Sequence, residues 1–478
     1  MTRTVTPKVA VLIERGMEHA RAGEFLQAAR SYERALQQTP GLLDVQAMRA
    51  GSLQAAGRAD DAERAWRQIL KRDPRNLAAH EGLAHLFMQA ARLAELEAIC
   101  EAAYTLAPRA PGFRLCRGVG LWRQGRLEEA LATYRDAASL AEGIDLVFFH
   151  EANLAQATLL FQLGRWQEGW TKYALRQDRA ALTARYPRLA PQPAALLDAA
   201  SPLRIVVHAE QGIGDELFFL RFAPALRSRG HRLALRTNAK LVPVLRTRPD
   251  LFDEVAAMEA PVAACDVELQ SSDLVLAAGE YFAPPLALVP QAERRTELAH
   301  KLQAFGPPPY VGVTWQAGLI GQERVEWKGI YAAKRVAPDR LGAVLRPLAC
   351  TIVSLQRKPE ASDLAALEAA AGRPVLELSA INEDLPDALA LLSLLDDYVG
   401  VSNTNMHLLA GIEGLARIEG PRAHVLLETL AEWRWGIAGD SSPWFPRFHL
   451  YRATQQEGWS LALARLTQDL AKSLPRRP

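Results

Sequence analysis

A glycine-paired loop followed by two carboxylates is the first place in this sequence where chemistry is expected. The loop Gln211–Glu216 lies between a short apolar run and a long amphipathic segment. Gly212 and Gly214 let the backbone turn tightly and approach a ligand closely. The turn directs the carboxylates of Asp215 and Glu216 to the mouth of a predicted sheet. Asp215 could either cap the following helix or act as a general base.

The loop differs from the two common nucleotide-binding motifs. In a dinucleotide fingerprint the third glycine would fall at Leu217, and the next predicted strand would end on an acidic residue. Here that strand ends at Thr237-Asn238. A P-loop needs Gly-Lys-Ser or Gly-Lys-Thr after the first glycines, and neither follows. The sequence therefore disfavours NAD chemistry and a P-loop.

A second group of polar residues lies where a predicted strand, Tyr398–Val401, meets a predicted helix, Met406–Gly411. The residues at this transition are Ser402, Asn403, Thr404, Asn405 and His407. Free backbone N–H groups and the dipole at a helix start attract a diphosphate, and His407 could donate to a phosphate oxygen. The alternative is a capping cluster with a histidine that faces the core.

Cationic residues follow the predicted strand Tyr310–Trp315. Gln316 comes directly after this strand, and a glycine-rich loop then leads to Lys328, Lys334 and Arg335. Cations at the carboxyl ends of parallel strands would counter phosphate charge, with Lys334 and Arg335 preferred to Lys328. A solvated basic loop is the alternative for each of them.

Aromatic and turn-forming residues are dense near the end of the chain, in the segments 432–436 and 440–446. They predict a rigid loop that could form a wall for a base or a sugar. Packing is the alternative, since tryptophan contributes to packing more often than to ligand contacts.

Strands and helices that alternate must position these groups. From residue 204 onward, short apolar runs alternate with longer amphipathic segments such as Glu216–Arg229, which predicts parallel sheets with crossover helices. Two such series, separated near Pro284–Pro309, predict two Rossmann-like lobes with a cleft between them. The predicted strands include Arg204–His208, Arg232–Thr237, Tyr310–Trp315, Thr351–Leu355, Val375–Leu378 and His424–Leu427.

The first part of the chain has a 34-residue period. Small residues, an aromatic and a proline recur at this spacing, as in Ala28 and Ala62, Tyr32 and Trp66, and Pro40, Pro74 and Pro108. Paired-helix solenoids of the tetratricopeptide type have this period and hold extended peptides. A fifth, divergent copy follows an insertion of about five residues, with Gly164, Gly169 and Tyr173 in the same roles. The alternative is an ordinary helical bundle with chance spacing.

Composition limits the remaining possibilities. The chain has 478 residues, 49% hydrophobic and 23% charged, with a formal charge of +2. This near-neutral balance disfavours nucleic-acid and membrane-surface binding. The four cysteines form no Cys-x-x-Cys pair, so neither a zinc site nor disulfides are expected. With neither a signal peptide nor a long apolar run, a cytoplasmic protein is expected.

Together these residues resemble the tetratricopeptide-repeat glycosyltransferases related to bacterial heptosyltransferases, which have the GT-B fold. The similar segments are HAEQGIGDELFFLRFAPAL, VGVTWQAG, TIVSLQ, VSNTNMHLLAG, EWRWG, the aromatic stretch 440–446 and HLYR. The resemblance implies a repeat domain at 1–180, a linker at 181–202, an acceptor-side lobe at 203–290 and a nucleotide-sugar lobe with a C-terminal helix at 291–478.

The resemblance also implies roles for single residues. Asp215 matches the family's candidate base, with Glu216 as the runner-up, and Lys334 matches its phosphate-binding lysine. The family's donor motif begins with Asp-Thr, which falls here on Ser402-Asn403, so the donor need not be ADP-heptose. Donor contacts are expected from Gly212, Gly214, Gln316, Lys328, Lys334, Arg335, Ser402, Asn403, Thr404, Asn405 and His407.

The function expected from this resemblance is inverting sugar transfer from a nucleotide sugar to Ser or Thr of a protein acceptor, such as a flagellin-like surface protein. The repeats would hold the acceptor, and the nucleotide sugar is a substrate, so no cofactor is expected. No Asp-x-Asp occurs from 201 to 478, so the transfer is expected to need no metal ion. The alternatives are a non-catalytic repeat scaffold with a decayed transferase lobe and a transferase with a glycan acceptor.

Overall fold

A computed structural model describes residues 6–186, 188–210, 212–262, 264–317, 334–412, 422–428, 432–454 and 457–477. The chain divides into two compact units. The first is Met1–Leu159 with 327–330, which lie outside the described residues, and the second holds the rest from Leu160 onward. Within the described ranges, every helix is too short or too polar to cross a bilayer.

The first unit is all-helical. Consecutive helices pack against each other, and α5 also contacts α3 and α7, so the helix pairs stack in series. The helix that follows α8, α9, crosses the boundary between the two units. The bounds are α1 Pro7–Arg21, α2 Phe25–Gln38, α3 Leu43–Ala55, α4 Ala59–Arg72, α5 Leu77–Gln89, α6 Leu93–Leu106, α7 Pro111–Arg123, α8 Leu127–Ala141 and α9 Leu146–Gln162.

The packing of this unit confirms the predicted helical repeat. Gly16 lies against the ring of Tyr32, and Gly118 lies against Tyr134, so closely that neither glycine has room for a Cβ. The turn inside each helix pair places one residue in the left-handed region, at positions 34 apart: Gly23, Gly57, Ala91 and Gly125. Because the 34-residue period recurs both in the glycine–aromatic contacts and in the turns, the alternative of a helical bundle with chance spacing is excluded.

The second unit is α/β. Its helices are α10 Trp166–Tyr173, α11 Gln177–Arg185, α12 Ile213–Leu220, α13 Ala223–Ser228, α14 Val242–Leu245, α15 Leu274–Ala278, α16 Ala292–Phe305, α17 Pro338–Leu345, α18 Ala361–Ala371, α19 Leu385–Leu392, α20 Thr404–Gly411 and α21 Ser460–Ser473. Its strands are β1 Arg204–His208, β2 Arg232–Thr237, β3 Glu254–Ala257, β4 Val267–Gln270, β5 Tyr310–Thr314, β6 Thr351–Ser354, β7 Leu376–Glu377, β8 Asp397–Val401, β9 Arg422–Leu427 and β10 Phe448–Arg452.

The strands form two sheets in which every described pair is parallel. Their orders are β3-β2-β1-β4 and β10-β9-β8-β5-β6-β7. Each order reverses direction once, between β1 and β4 in the first sheet and between β5 and β8 in the second. Ligands of open α/β sheets bind outside the carboxyl ends of the strands at such switch points.

Helices cover the second sheet and bury its central strands. All five residues of β5 and all five of β8 are buried, as expected for parallel strands with both faces covered. Leu341 of α17, Leu367 of α18 and Leu466 of α21 share one hydrophobic core with Val313 and Val399. The C-terminal helix α21 thus packs on this sheet, against α17 and β10.

Two details of the second unit differ from the sequence prediction. The helix predicted at Glu216–Arg229 is two helices, α12 and α13, and Pro224 lies in the first turn of the second one. A proline there removes an N–H and favours a new helix start. Strands β3, β4 and β10 are not among the predicted strands: β3 and β4 have only four residues each, and all three mix polar with apolar residues.

A buried polar chain lies toward the amino ends of β8 and β9. We call it the Asp397 chain. Asp397 accepts a hydrogen bond from Arg422 Nε at 3.0 Å and lies 2.9 Å from His424 Nε2. His424 Nδ1 lies 3.0 Å from the Tyr451 hydroxyl, which donates to Asp469 at 3.0 Å. The chain links β8, β9, β10 and α21.

Candidate functional site

The glycine loop of the first sheet positions Asp215 at the start of α12. Gly212 precedes the helix with extended backbone, and its N–H donates to Asp215 Oδ2 at 3.3 Å. Asp215 Oδ1 accepts from the guanidinium of Arg434. Asp215 therefore caps its own helix and forms an ion pair, while 27% of its side chain stays exposed.

Glu216 has a different environment from its neighbour. Its side chain is buried and accepts a hydrogen bond from the hydroxyl of Thr237, at the end of β2. Burial raises the pKa of Glu216 to about 7, although hydrogen bonds from Thr237 and from the Asn238 N–H act to lower it. Of the two predicted carboxylates, only Asp215 reaches solvent.

Asn403 ties together the switch point of the second sheet. Its Oδ1 caps α20 by accepting from the N–H of Met406 at 3.3 Å. Its Nδ2 donates to Thr314 Oγ1 at 2.8 Å and to the Tyr398 hydroxyl at 3.2 Å. Because Thr314 ends β5 and Tyr398 lies in β8, one amide fixes both strands to the helix start.

The other residues of the polar transition lie around this cap. Ser402 Oγ donates to Glu432 Oε2 at 2.8 Å. Thr404 begins α20 and is half-buried, while Asn405 is buried and donates to Asn382 at 3.4 Å. Asn403 thus has the capping role predicted from the sequence as the alternative to ligand binding. Ser402 instead forms a hydrogen bond with the carboxylate of Glu432.

His407 brings the two predicted loops together. A Cβ placed on Gly214 would lie 2.9 Å from His407 Cδ2, so the start of α12 lies directly against α20. The imidazole is buried, and its Nδ1 has no hydrogen-bond partner among the described residues. Burial, followed by the charges of Arg434 and Arg221, lowers the pKa of His407 well below its usual value. The imidazole is therefore neutral at pH 7.

Charged side chains surround this contact, and we call them the charged cluster: Asp215, Arg221, Lys334, Glu432 and Arg434. Arg434 pairs with Asp215, and Lys334 pairs with Glu432. Burial alone would raise the pKa of Glu432, but Lys334 and Arg434 outweigh it and lower that pKa to about 2. Glu432 is therefore ionised at any physiological pH.

The structure does not bring every predicted cation to the cluster. Arg335 turns toward Asp363, at 3.3 Å, and is half exposed. Gln316 lies at the end of β5, where its N–H donates to Gln356 Oε1 at 2.9 Å. Lys328 and Gln211 lie outside the described residues. Lys334 is thus the predicted cation that reaches the start of α20, through Glu432.

Sequence reasoning missed the roles of Arg221, Glu432 and Arg434. The aromatic residues of the segment 432–436 predict a wall for a base or a sugar, whereas the structure shows that its two charged residues form ion pairs. Trp433 does pack in an aromatic cluster with Phe161, Trp170 and Phe218. The sequence Glu432-Trp433-Arg434 could have indicated these roles. Charged residues inside an aromatic segment need partners of opposite charge when they are buried.

A second polar network lies at the switch point of the first sheet. Glu210 forms a buried ion pair with Arg176, which also donates to Gln270 Oε1 at 3.0 Å. Glu210 Oε1 accepts from the Ser272 N–H at 2.8 Å. Since Glu210 immediately precedes the glycine loop, this network fixes the chain that leads to Asp215.

A comparison with protein families supports the repeat unit. A family model described as the TT21 fifth ARM repeats domain matches residues 46–142. Among solved structures, TTC0263, a thermophilic TPR protein from Thermus thermophilus, is 21% identical with a TM-score of 0.31, covering 37% of this chain and 94% of that protein. MamA from Desulfovibrio magneticus RS-1 is 12% identical with a TM-score of 0.33, covering 37% of this chain and 98% of that one.

One curated relative is similar over a longer stretch. Protein FlbA of Caulobacter vibrioides is 27% identical over 377 residues, which cover 72% of this chain and 59% of that protein. The chain therefore spans less than two thirds of the length of this relative. The matched 72% of this chain is longer than the first unit, which holds about a third of the residues. The similarity therefore extends into the α/β unit.

Proposed function

We propose that this chain is a glycosyltransferase of the GT-B type, which transfers a sugar from a nucleotide sugar to a Ser or Thr hydroxyl of a protein. The observation that carries the proposal is the contact between Gly214 and His407. It joins the glycine loop of one doubly wound sheet to the polar helix start of another. Both groups lie at carboxyl ends of parallel strands, where such sheets bind ligands.

Asp215 is the proposed general base. Its carboxylate is the partly exposed member of the Asp215–Glu216 pair, and it would accept the proton of the acceptor hydroxyl as that oxygen attacks the sugar. A single base that activates an attacking hydroxyl gives inversion at the sugar carbon. Both oxygens of Asp215 accept hydrogen bonds in this structure, and the ion pair with Arg434 holds the carboxylate in the conformation that caps α12.

The leaving nucleotide diphosphate would be stabilised by fixed positive charge. The start of α20, Lys334 and Arg434 lie together at the charged cluster, in surroundings where such groups are effective. The absence of Asp-x-Asp from 201 to 478 is the reason to propose a metal-independent reaction. Transfer that persists in excess chelator would agree with it, and activity restored only by added Mn²⁺ or Mg²⁺ would contradict it.

The repeat unit would hold the acceptor protein. A groove of this unit is lined by Leu70, Leu83, Phe87 and Ile99, with Arg67 and Lys71 at the same place. Helical repeats bind extended peptides along such surfaces. Holding the acceptor on the same chain as the transferase raises its effective concentration for the reaction.

A donor screen on the full chain tests the proposal. Uridine-, guanosine-, thymidine-, adenosine- and cytidine-linked sugars are compared by thermal shift, since a ligand raises the melting temperature according to its concentration and dissociation constant. The donor found is then used in a transfer assay read by mass spectrometry of the acceptor. Asp215→Asn should abolish transfer without weakening donor binding. Asp250→Asn, which removes an exposed carboxylate elsewhere in the same unit, should leave both unchanged.

A non-catalytic repeat scaffold is the second candidate, and one observation favours it. Asp215 is held by both Gly212 and Arg434, as a purely structural capping residue would be. A scaffold would bind none of the nucleotide sugars at millimolar concentration. A transferase with a glycan acceptor would bind the donor but modify free oligosaccharides instead of a protein. The same screen and assay thus separate the three functions.

A further inference from the structure

The charged cluster carries more positive than negative charge. It holds two ion pairs, Arg434 with Asp215 and Lys334 with Glu432, and a third cation, Arg221, whose charge also acts on His407. Arg221 is buried and donates to the carbonyls of Ala283 at 3.2 Å and Trp444 at 3.0 Å; among the described residues it has no carboxylate partner. Burial and the charge of Arg434 lower the pKa of Arg221 to about 9. An excess buried cation is costly unless an anion can approach.

Arg434 is fixed in place more firmly than its partner Asp215. Its guanidinium lies 5.0 Å from the ring centre of Phe218 and 4.6 Å from that of Trp433. The residue is 5% exposed, and its Nε has no partner among the described residues. Asp215 lies on the solvent side of the ion pair, with 27% of its side chain exposed. An anion from solvent therefore reaches Arg434 most readily by replacing the carboxylate of Asp215.

We propose that the diphosphate of the sugar donor replaces Asp215 as the partner of Arg434, and that this exchange releases the carboxylate to act as base. The inference rests on the proposed function and adds an order to it. The donor must bind before the acceptor hydroxyl can be deprotonated. In the absence of donor, the ion pair with Arg434 keeps Asp215 from accepting the proton of an acceptor hydroxyl.

Anion binding to the full chain tests the exchange. Isothermal titration with inorganic pyrophosphate and with uridine, guanosine, adenosine and thymidine diphosphates measures the affinity of wild type and Asp215→Asn. Because the variant lacks the competing carboxylate, it should bind the preferred diphosphate about fivefold more tightly or better. Asp250→Asn makes the same change of charge at an exposed site and should leave the affinity unchanged.

A double variant separates exchange from simple charge repulsion. Arg434→Gln should weaken diphosphate binding by about tenfold or more, since it removes a charge-assisted contact. If Asp215 competes for Arg434, then Asp215→Asn should bring no gain in the Arg434→Gln background. If the Asp215 carboxylate only repels the diphosphate through space, Asp215→Asn should still tighten binding in the Arg434→Gln background. That result would overturn the exchange.

The outcomes also separate the exchange from the proposed function. Diphosphate binding that is unchanged or weaker in Asp215→Asn overturns the exchange and leaves the transferase proposal standing. If no anion in the panel binds wild type or Asp215→Asn at millimolar concentration, both proposals fail. Should Arg434→Gln not fold, as shown by circular dichroism, a crystal structure of the full chain with the bound diphosphate decides instead: a diphosphate on Arg434 with Asp215 turned away would support the exchange, and an intact Asp215–Arg434 pair would overturn it.

Discussion

The Asp397 chain and the charged cluster are both buried polar networks of the α/β unit, yet they satisfy their hydrogen bonds differently. In the Asp397 chain, the hydrogen bonds from Arg422 through Asp469 measure 2.9 to 3.2 Å. In and around the charged cluster, His407 Nδ1, Arg221 Nε and Arg434 Nε have no partner among the described residues. The first network lies toward the amino ends of β8 and β9, and the second lies at the carboxyl ends.

We interpret this difference as that between a polar network that supports the fold and the one proposed to bind a ligand. Buried polar groups almost always find partners, and a complete network adds rigidity. Groups that stay unpartnered cost stability and are retained mainly where function needs them. The contrast predicts that changes in the Asp397 chain act on stability, while changes in the charged cluster act mainly on binding.

The largest effect on stability is expected from Asp397→Asn. The substitution removes the fully buried carboxylate that pairs with Arg422, whose side chain is 45% exposed, and that lies 2.9 Å from the buried His424. Because the remaining Arg422 is partly solvated, losing the buried carboxylate should lower the free energy of unfolding by about 3 kcal/mol, the low end for a buried ion pair. Urea unfolding followed by circular dichroism measures this, with Asp250→Asn as the control. A loss below about 1 kcal/mol would remove the distinction between the two networks.

Glu216→Gln should have a pH-dependent effect of about 2 kcal/mol. The pKa of Glu216 is raised to about 7 in the folded chain. Its contribution to stability is therefore complete below the unfolded-state pKa and is lost as the pH rises toward 7. Glutamine does not titrate, so the variant should gain stability relative to wild type between pH 5 and pH 8. Melting temperatures of wild type and variant at pH 5 and pH 8 measure the gain. The same difference between variant and wild type at both pH values would contradict it.

The smallest of these effects is expected from Gly214→Ala. Its new Cβ would lie 2.9 Å from His407, so α12 and α20 must move apart, at a cost of about 1–2 kcal/mol. Gly212→Ala is the matched control, because its Cβ would lie 3.4 Å from the nearest atom, Asp215 Oδ2. Thermal melts compare the two variants. Equal melting temperatures would show that the contact between the loops is loose.

Many elements of both units could be predicted from the sequence because their signals are local, whereas β3, β4, β10 and the break between α12 and α13 could not. Glycines and aromatics 34 residues apart specify the packing of one helix pair, and apolar runs mark strands such as β1 and β5. The polar start of α20 was also visible, since Asn403 caps a helix three residues from the N–H that it binds. Such patterns depend only on residues close in sequence.

The partners within the charged cluster could not be predicted in the same way. Arg434 pairs with Asp215 across more than two hundred residues, and Glu432 joins Ser402 to Lys334 from a third segment. No periodicity relates these positions, because the sheet order alone decides which loops meet. Burial was equally hidden: Glu216 and Asp215 are neighbours in sequence, yet one faces the end of β2 and the other faces solvent.

The indole of Trp433 stacks beside the guanidinium of Arg434, with 4.6 Å between the cation and the ring centre. Indole emission responds to nearby charge, so the chain carries its own optical reporter at this position. A Trp433→Phe variant would identify its share of the signal among the ten tryptophans. If a diphosphate binds at Arg434 as proposed, stopped-flow mixing should detect its arrival in real time and without a label.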